Sequence, residues 1–227
     1  MAKVSVIIPG AGRGLRFGGS MNKIFELLGD MPLFLRTIEA FIKRPDVLEV
    51  IFVCSMDDME YVAQHYGWRL EKLGVKLVAG GSTRTQSVKN ALDAVSDEAE
   101  LVAIHDAARP CIAQSWIDAV FSQASMCGAA LLAVPIHGTV KRTDGRGIVT
   151  QTLPRDEYAN LFEAQTPQVF AREIIMKVYE NPAEATDDCA LVEQAGYPVS
   201  VVHGDLRNIK VTRREDMIFA RQVISTL

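Results

Sequence analysis

The feature that most constrains the fold is an alternation of short apolar runs with segments of helical periodicity. The first run, Val4–Ile8, is β-branched and ends in a turn. Such a β-α-β-α order predicts a Rossmann-like α/β fold, with a mainly parallel sheet and helices on both faces. We expect strands at Val4–Ile8, Val50–Cys54, Val75–Ala79, Leu101–His105, Ala129–Pro135 and Val199–His203, and helices after Ser55 and at Pro32–Lys43, Thr83–Val95, Ser115–Met126, Arg172–Tyr179 and Thr186–Ala195. A last helix is expected to open at Thr212–Glu215, where the spacing fits a capping box.

A polar stretch at residues 136–155 interrupts this alternation. Asp144-Gly145 lies there between two β-prone runs, which is typical of a β-hairpin. We therefore predict one domain over residues 1–227, with a β-hairpin arm at about 136–155 that projects from the sheet. The arm would expose two strand edges, which favour aggregation unless another surface covers them. A homodimer formed through the arm is our prediction, and a solvated surface hairpin is the alternative.

Charge and cysteine content limit the classes of partner. The net charge of −4 and the pI of about 5.6 predict a surface that attracts neither nucleic acid nor anionic membrane. An anionic ligand must therefore be held by a local cluster of cations. The four cysteines form no C-x-x-C pair, which predicts reduced thiols in a cytoplasmic protein. No apolar segment is long enough to span a membrane, and Val4–Ile8 is too short for a signal peptide.

The glycine-rich segment Pro9–Gly19 directly follows the first expected strand. Glycines let backbone N–H groups converge on a phosphate, because no Cβ blocks the approach. Arg16 and Lys23 add positive charge beside this segment. We predict a phosphate-binding loop that contains Gly10, Ala11, Gly12 and Gly14.

Two better-known phosphate loops do not fit this segment. The dinucleotide fingerprint G-x-G-x-x-G fails because the third glycine, Gly14, comes one residue early. The Walker A motif fails because Ser20, and no lysine, follows Gly19. Two cations also suit a triphosphate better than the pyrophosphate of NAD.

Asp106 follows an apolar run that is expected to be a buried strand. In an open α/β sheet, ligands bind beyond the carboxyl ends of the strands. A carboxylate at that place can hold Mg²⁺ against nucleotide phosphates, or it can cap a turn. We expect the neighbouring His105 to pack in the interior and Arg109 to pair with a carboxylate.

Further motifs follow the glycine loop in a fixed order. They are Gly80-Gly81-Ser82-Thr83-Arg84, His105-Asp106-Ala107-Ala108-Arg109-Pro110, Gln165-Thr166-Pro167-Gln168 and Asn208-Ile209-Lys210-Val211-Thr212. Together these motifs resemble the 2-C-methyl-D-erythritol 4-phosphate cytidylyltransferases, a nucleotidyltransferase family of the non-mevalonate isoprenoid pathway. The resemblance spans nearly the whole chain, and its specific parts are the second and the last motif.

The resemblance implies transfer of CMP from CTP to a sugar-alcohol phosphate, with Mg²⁺ held by Asp106. It implies three catalytic cations, Arg16, Lys23 and Lys210. The nucleotide would also contact Gly81, Ser87 and Ala107, and the acceptor phosphate would bind Thr139, Arg155 and Thr166, partly across the dimer interface. From the residues alone, a helix-surface hydroxyl competes with this role for Ser87, and a solvated strand lysine is favoured for Lys210.

The chain departs from this family's usual residues at two places in the loop region. Gly10 stands where the family usually has alanine, and Asn22-Lys23-Ile24 stands where it usually has Pro-Lys-Gln. The missing proline predicts a looser backbone before Lys23. Three other functions stay open: a cytidylyltransferase for another acceptor such as ribitol 5-phosphate, an NAD-dependent oxidoreductase, and a non-catalytic nucleotide-binding protein.

Overall fold

Strands and helices alternate along the computed structural model, which describes residues 2–12, 17, 21–183 and 185–226. The strands within these residues are β1 Val4–Pro9, β2 Leu27–Leu28, β3 Met31–Pro32, β4 Val47–Cys54, β5 Lys76–Ala79, β6 Leu101–Ile104, β7 Ala129–Pro135, β8 Lys141–Thr143, β9 Val149–Thr152, β10 Phe162–Ala171 and β11 Ser200–His203. The helices are α1 Leu33–Ile42, α2 Met59–Lys72, α3 Arg84–Leu92, α4 Gln114–Cys127, α5 Arg155–Tyr158, α6 Arg172–Val178, α7 Asp188–Gln194 and α8 Asp216–Ile224. Short 3-10 turns lie at Lys23–Phe25 and Met56–Asp58.

The main sheet is largely parallel, as the alternation predicts. In the part of the chain described, its seven strands run in the order β11-β7-β10-β6-β1-β4-β5. The pairs β1–β4, β1–β6, β4–β5 and β7–β11 are parallel. All six strands predicted from the sequence are present in this sheet, with bounds that differ by a few residues.

Helices cover both faces of the sheet because the interior strand β1 alternates its side chains between them. Val6 and Ile8 of β1 are buried in one core with residues of α1, α2 and α4. Ile7, between them, is buried in a second core with residues of α3, α6 and α7. A strand with this period of two and apolar residues on both faces requires a layer of helices on each side. None of the helices described is both long and apolar enough to cross a lipid bilayer.

Strand β10 is the element of the main sheet that the sequence pattern did not predict. It lies between β6 and β7 and is antiparallel to both. Its register with β7 shifts between Ala164 and Gln168, and the Thr166–Pro167 peptide bond in this interval is cis. Proline cannot donate to a strand ladder, so a proline inside a polar run argues against a central strand. The register shift removes the conflict, because the ladder is interrupted where the proline stands.

The predicted arm is a two-stranded antiparallel hairpin of β8 and β9. Its connecting loop is longer than an Asp-Gly turn and runs through residues 144–148. The Asp144 carboxylate accepts hydrogen bonds from the backbone N–H groups of Arg146 and Ile148, at 2.9 and 3.0 Å. Gly147 takes the positive φ of 85° in this loop.

The last helix does not begin with the predicted capping box. Helix α8 begins at Asp216, and its N-cap residue Glu215 makes no side-chain capping bond. The carboxylate of Asp216 instead accepts from the backbone N–H groups of Thr212 and Arg213, at 2.7 and 2.8 Å. The segment that carries Lys210 is also not a strand, so strand alternation cannot explain the direction of that side chain.

Two glycines should respond oppositely to substitution by alanine. Gly128 ends α4 at a φ of 85°, and a Cβ there would lie 3.0 Å from Ile174 Cδ1. Gly67 lies inside α2, where a Cβ would meet no atom within 4 Å. We expect Gly128→Ala to lower the free energy of unfolding by about 1–2 kcal/mol. Gly67→Ala should raise it by about 0.5–1 kcal/mol, and urea denaturation would measure both. A shift in the same direction for both variants would contradict this interpretation.

Candidate active site

The loops that follow β1, β5 and β6 meet at one edge of the sheet. Gly10, which follows β1, donates its N–H to Val53 O of β4 at 2.7 Å. Ala107, which follows β6, donates its N–H to Pro9 O at 3.2 Å. A Cβ on Gly80, which follows β5, would lie only 2.6 Å from the Cβ of Ala11. This edge is formed by the carboxyl ends of the parallel strands, where open α/β sheets bind ligands.

Asp106 lies at the centre of this edge. Its Oδ2 is 2.8 Å from Lys210 Nζ and 3.6 Å from Arg109 Nε. Its backbone N–H donates to Thr166 Oγ1 at 3.1 Å. The carboxylate side chain is 13% exposed, whereas that of Lys210 is 44% exposed. The structure therefore brings together Asp106, Thr166 and Lys210, which the family resemblance placed in one site, and it confirms that Arg109 pairs with a carboxylate.

The charge of Asp106 is stabilised by cations from three parts of the chain. Burial by itself raises the pKa of this carboxyl group, but the charges of Lys210, Arg84 and Arg109 outweigh it and lower the pKa to about 2. Asp106 is therefore ionised across the physiological pH range. An ionised carboxylate is the form that binds a metal ion.

A chain of hydrogen bonds beneath Asp106 fixes the position of its loop. Because the Arg109 carbonyl can only accept, His105 Nε2 carries the proton and donates to it at 3.0 Å. His105 Nδ1 then accepts from the hydroxyl of Thr166 at 3.1 Å. Arg109 Nη1 donates in turn to Asn208 O at 2.7 Å, and Asn208 Nδ2 donates to Thr166 O at 2.9 Å. His105 is fully buried, as expected for a packing residue.

Arg84 belongs to the site, although the sequence analysis assigned it no role. Its guanidinium makes two bonds to the carboxylate of Asp188, at 2.9 and 2.6 Å. Asp188 is fully buried and also accepts from Tyr179 Oη at 2.6 Å. The pKa of Arg84 is raised, because the charge of Asp188 outweighs the effect of burial. A separation of 104 residues hides this pair from sequence inspection.

Ser87 organises the loop that precedes α3. Its hydroxyl accepts from the N–H of Gly81 at 3.0 Å and donates to Thr83 O at 2.8 Å. Ser87 is buried, so it is not a helix-surface hydroxyl. A Cβ on Gly81 would lie 2.2 Å from Gln86 Cγ, which explains why a glycine stands there. Gly81 and Ser87, which are both predicted to contact the nucleotide, therefore contact each other.

Lys23 lies at the same edge and is held by its neighbour Asn22. Asn22 Nδ2 donates to Gly10 O at 3.0 Å, and Asn22 Oδ1 accepts from the N–H of Ile24 at 3.4 Å. The backbone before Lys23 is thus tied to the end of β1. The looser backbone at this position stays a prediction, and the two hydrogen bonds of Asn22 supply a constraint of a different kind from that of a proline.

The remaining predicted residues are either exposed or outside the described part of the chain. Gly14 and Arg16 are outside the described residues, and Gly12 is exposed where a Cβ would meet no atom within 4 Å. Thr139 and Arg155 are exposed at the two ends of the arm. Because β7 is parallel to β6, the arm begins at the same edge of the sheet as Asp106. Their assigned roles stay predictions.

The donor set at this edge fits Mg²⁺ that arrives with a nucleotide. Among the residues described, no group of three or more His, Cys, Asp or Glu side chains could hold a metal ion. Mg²⁺ is commonly bound by one or two carboxylates together with substrate phosphates and water. Asp106 is ionised and, although its side chain is only 13% exposed, it can supply that single carboxylate.

His105 makes the stability of the fold depend on pH. Burial lowers the pKa of its imidazole from 6.5 to about 4. The unfolded chain therefore takes up the proton first, and the stability present above about pH 6.5 is lost as the pH falls towards about 4. We expect this residue to contribute a loss of about 3 kcal/mol in the free energy of unfolding between those limits.

The matched variant is His105→Gln, whose amide can donate to the same carbonyl but does not titrate. Urea denaturation at several pH values should give a shallower pH dependence for the variant. If the free energy of unfolding changed equally with pH in both proteins, His105 would not be the titrating group.

The comparisons with known proteins agree over almost the entire chain. The family model described as IspD, 2-C-methyl-D-erythritol 4-phosphate cytidylyltransferase, matches residues 4–226. A relative of that name from Rhodopirellula baltica is 39% identical over 237 residues, which cover 99% of this chain and 96% of the relative. Another relative of that name, from Alkaliphilus metalliredigens, is 38% identical over 232 residues, which cover 99% of this chain and 94% of the relative.

Solved structures give the same result. The 4-diphosphocytidyl-2C-methyl-D-erythritol synthase from Anaerococcus prevotii superposes with a TM-score of 0.80 at 30% identity, covering 99% of both chains. The 2-C-methyl-D-erythritol 4-phosphate cytidylyltransferase from Thermus thermophilus has a TM-score of 0.79 at 28% identity, covering 99% of this chain and 100% of that one. On the match of its sequence, its fold and its motifs, this chain belongs to the IspD family of cytidylyltransferases.

Proposed function

We propose that this chain transfers CMP from CTP to 2-C-methyl-D-erythritol 4-phosphate and releases pyrophosphate. Family membership supports the reaction class, because relatives matched over nearly their full length carry that name. The observation that carries the proposal is the contact between Asp106 and Lys210 at the strand ends. A buried carboxylate and a half-exposed ammonium 2.8 Å apart provide a metal ligand and a phosphate ligand at one place.

The reaction needs charge neutralisation more than proton transfer. A phosphate monoester is largely ionised at neutral pH, so the acceptor oxygen can attack the α-phosphorus without a general base. A bond forms between that oxygen and the α-phosphorus, and the bond from the α-phosphorus to the bridging oxygen of pyrophosphate breaks. We propose that Lys23 and Lys210 stabilise the negative charge that grows on the α-phosphate. Arg16 and Lys23 would stabilise the leaving pyrophosphate.

Asp106 is the residue that we propose as the Mg²⁺ ligand. When bound there, the ion would neutralise part of the triphosphate charge. The low pKa of Asp106, about 2, keeps the carboxylate available for this role. Lys210 and Arg109 pair with this carboxylate, and Thr166 and Asn208 bond to its loop, so little reorganisation is needed when the nucleotide arrives.

The acceptor site is proposed at the root of the arm. Thr139 and Arg155 follow β7 and precede β10 there, and a planar guanidinium suits a phosphate through paired hydrogen bonds. Thr166 uses its hydroxyl within the frame of the site, which supports a positioning role for its side chain. Neither the relatives nor the site geometry favours ribitol 5-phosphate, NAD or a non-catalytic role.

The direct test is pyrophosphate release with CTP, Mg²⁺ and a panel of acceptor phosphates. We expect turnover with 2-C-methyl-D-erythritol 4-phosphate and little with ribitol 5-phosphate. Omission of the acceptor gives the background of CTP hydrolysis. Faster turnover with ribitol 5-phosphate, or binding of NADH and not CTP, would contradict the proposal.

Lys210→Ala should lower kcat about 10²–10³-fold, because it removes a preorganised charge at the α-phosphate. The fold should survive, since the side chain is 44% exposed. The matched control is Lys177→Ala on the surface of α6, which should keep wild-type kcat. Steady-state kinetics and circular dichroism would decide, and a Lys210→Ala variant with wild-type kcat would remove Lys210 from the mechanism.

We also propose a homodimer formed through the arm, in the cytoplasm. The arm exposes Ile148 and Val149, at 62% and 54%, on a hairpin that pairs with no other described strand. A second copy of the arm would cover these side chains and the free strand edges. The four cysteines are free thiols, which supports a reducing compartment.

Val149→Lys should weaken the dimer, because it places a charge in the apolar contact. Light scattering after size exclusion should show a lower mass for this variant than for the wild type at the same concentration. Trp68→Lys is the matched control, because Trp68 is 66% exposed on α2, outside the arm. A wild-type protein that is monomeric at micromolar concentration would refute the proposal.

A further inference from the structure

We propose that Asn22 is a positioning residue that fixes the backbone of Lys23 against the end of β1. This inference rests on the proposed function, in which Lys23 contacts the phosphates of CTP. Asn22 is only 7% exposed, and its side chain connects three separate parts of the chain. Nothing in the residue types of this segment indicates such a link.

The two ends of the Asn22 amide have different tasks. Its Oδ1 accepts from Ile24 N–H at 3.4 Å and so caps the 3-10 turn Lys23–Phe25. Its Nδ2 donates to Gly10 O at 3.0 Å and to Asp58 Oδ2 at 3.1 Å. The turn that carries Lys23 is thereby joined both to the residue that follows β1 and to the turn before α2.

Both partners of the Asn22 amide are themselves anchored. Gly10 donates its N–H to Val53 O at 2.7 Å, which bonds its backbone to β4. Asp58 accepts from Ser55 Oγ at 2.7 Å. Because both of its partners are hydrogen-bonded to other elements, the amide of Asn22 sets the distance between the Lys23 backbone and the end of β1.

Packing on the other side of Lys23 completes the fixation. Ile24 and Phe25 are 2% and 5% exposed. A Cβ on Gly10 would lie 2.9 Å from Ile24 Cδ1 and 2.8 Å from Phe52 Cε2, so the isoleucine fills the space that the glycine leaves. Lys23 thus stands between a buried amide and a buried aliphatic side chain.

The test separates the structural link from its effect on catalysis. Asn22→Ala should increase hydrogen–deuterium exchange at the amides of Ile24, Phe25 and Glu26, and it should lower kcat about 10- to 100-fold with a smaller change in the KM for CTP. Asn22→Ser keeps the cap on the 3-10 turn, but its shorter side chain cannot reach Gly10. It should therefore lose as much kcat as Asn22→Ala, with less exchange at Ile24 than Asn22→Ala shows. Gln114→Ala, which removes an amide bond of 2.8 Å to Ala40 O elsewhere, should change neither readout.

A double-mutant cycle shows whether Asn22 acts through Lys23. In the Lys23→Ala background, adding Asn22→Ala should change kcat by less than about twofold, because the group that it positions is already gone. Full additivity of the two losses would overturn the proposal. Unchanged exchange at residues 24–26 in Asn22→Ala would overturn it as well. The exchange measurement needs no turnover. A wild-type protein without CMP transfer would therefore refute the proposed function, while exchange would still decide whether Asn22 fixes the backbone of Lys23.

Discussion

The active edge of this protein depends on one buried charge and the cations that stabilise it. Asp106 is almost enclosed, and burial alone would favour its neutral form. Lys210, Arg109 and Arg84 reverse this preference and hold its pKa at about 2. These cations come from the segment after β11, the loop after β6 and the start of α3, so the same electrostatic requirement that keeps Asp106 ionised also brings the three segments together. A site for a triphosphate needs this concentration of positive charge, and an overall acidic chain must build it locally.

Several residues that resemble ligands in the sequence are used as framework. The hydroxyl of Ser87 is bonded to Gly81 and Thr83, and that of Thr166 is bonded to Asp106 and His105. Buried polar groups need partners, and here each satisfied group fixes a loop that carries a candidate ligand. Such an arrangement favours catalysis by preorganised charge, because the site does not have to reorganise when the nucleotide binds.

Periodicity predicted most elements correctly, because buried parallel strands and amphipathic helices leave clear patterns. It missed β10 since Gln165, Thr166 and Pro167 interrupt any alternation, and only the register shift makes a central strand possible there. Long-range pairs were equally hidden. Nothing near Arg84 in the sequence points to Asp188. Lys210 reaches Asp106 from an irregular segment, which is held in place where Val211 N–H donates to Ala108 O. Residue types and motif order gave the chemistry, whereas these contacts needed the folded chain.

Gly10, Asn22 and Ile24 show why a departure from a familiar motif is best judged in three dimensions. Taken separately, glycine instead of alanine at position 10 increases the freedom of the unfolded backbone, and so does asparagine instead of proline at position 22. In the fold they compensate one another, because the carbonyl of Gly10 accepts from Asn22 and the space beside Gly10 holds Ile24. An alanine at position 10 would collide with Ile24 and Phe52, and a proline at position 22 would leave Gly10 O without its donor. The three residues therefore form one structural unit. Changing Gly10 or Asn22 alone to the family's usual residue would disturb the packing of Ile24 or remove the hydrogen bond to Gly10.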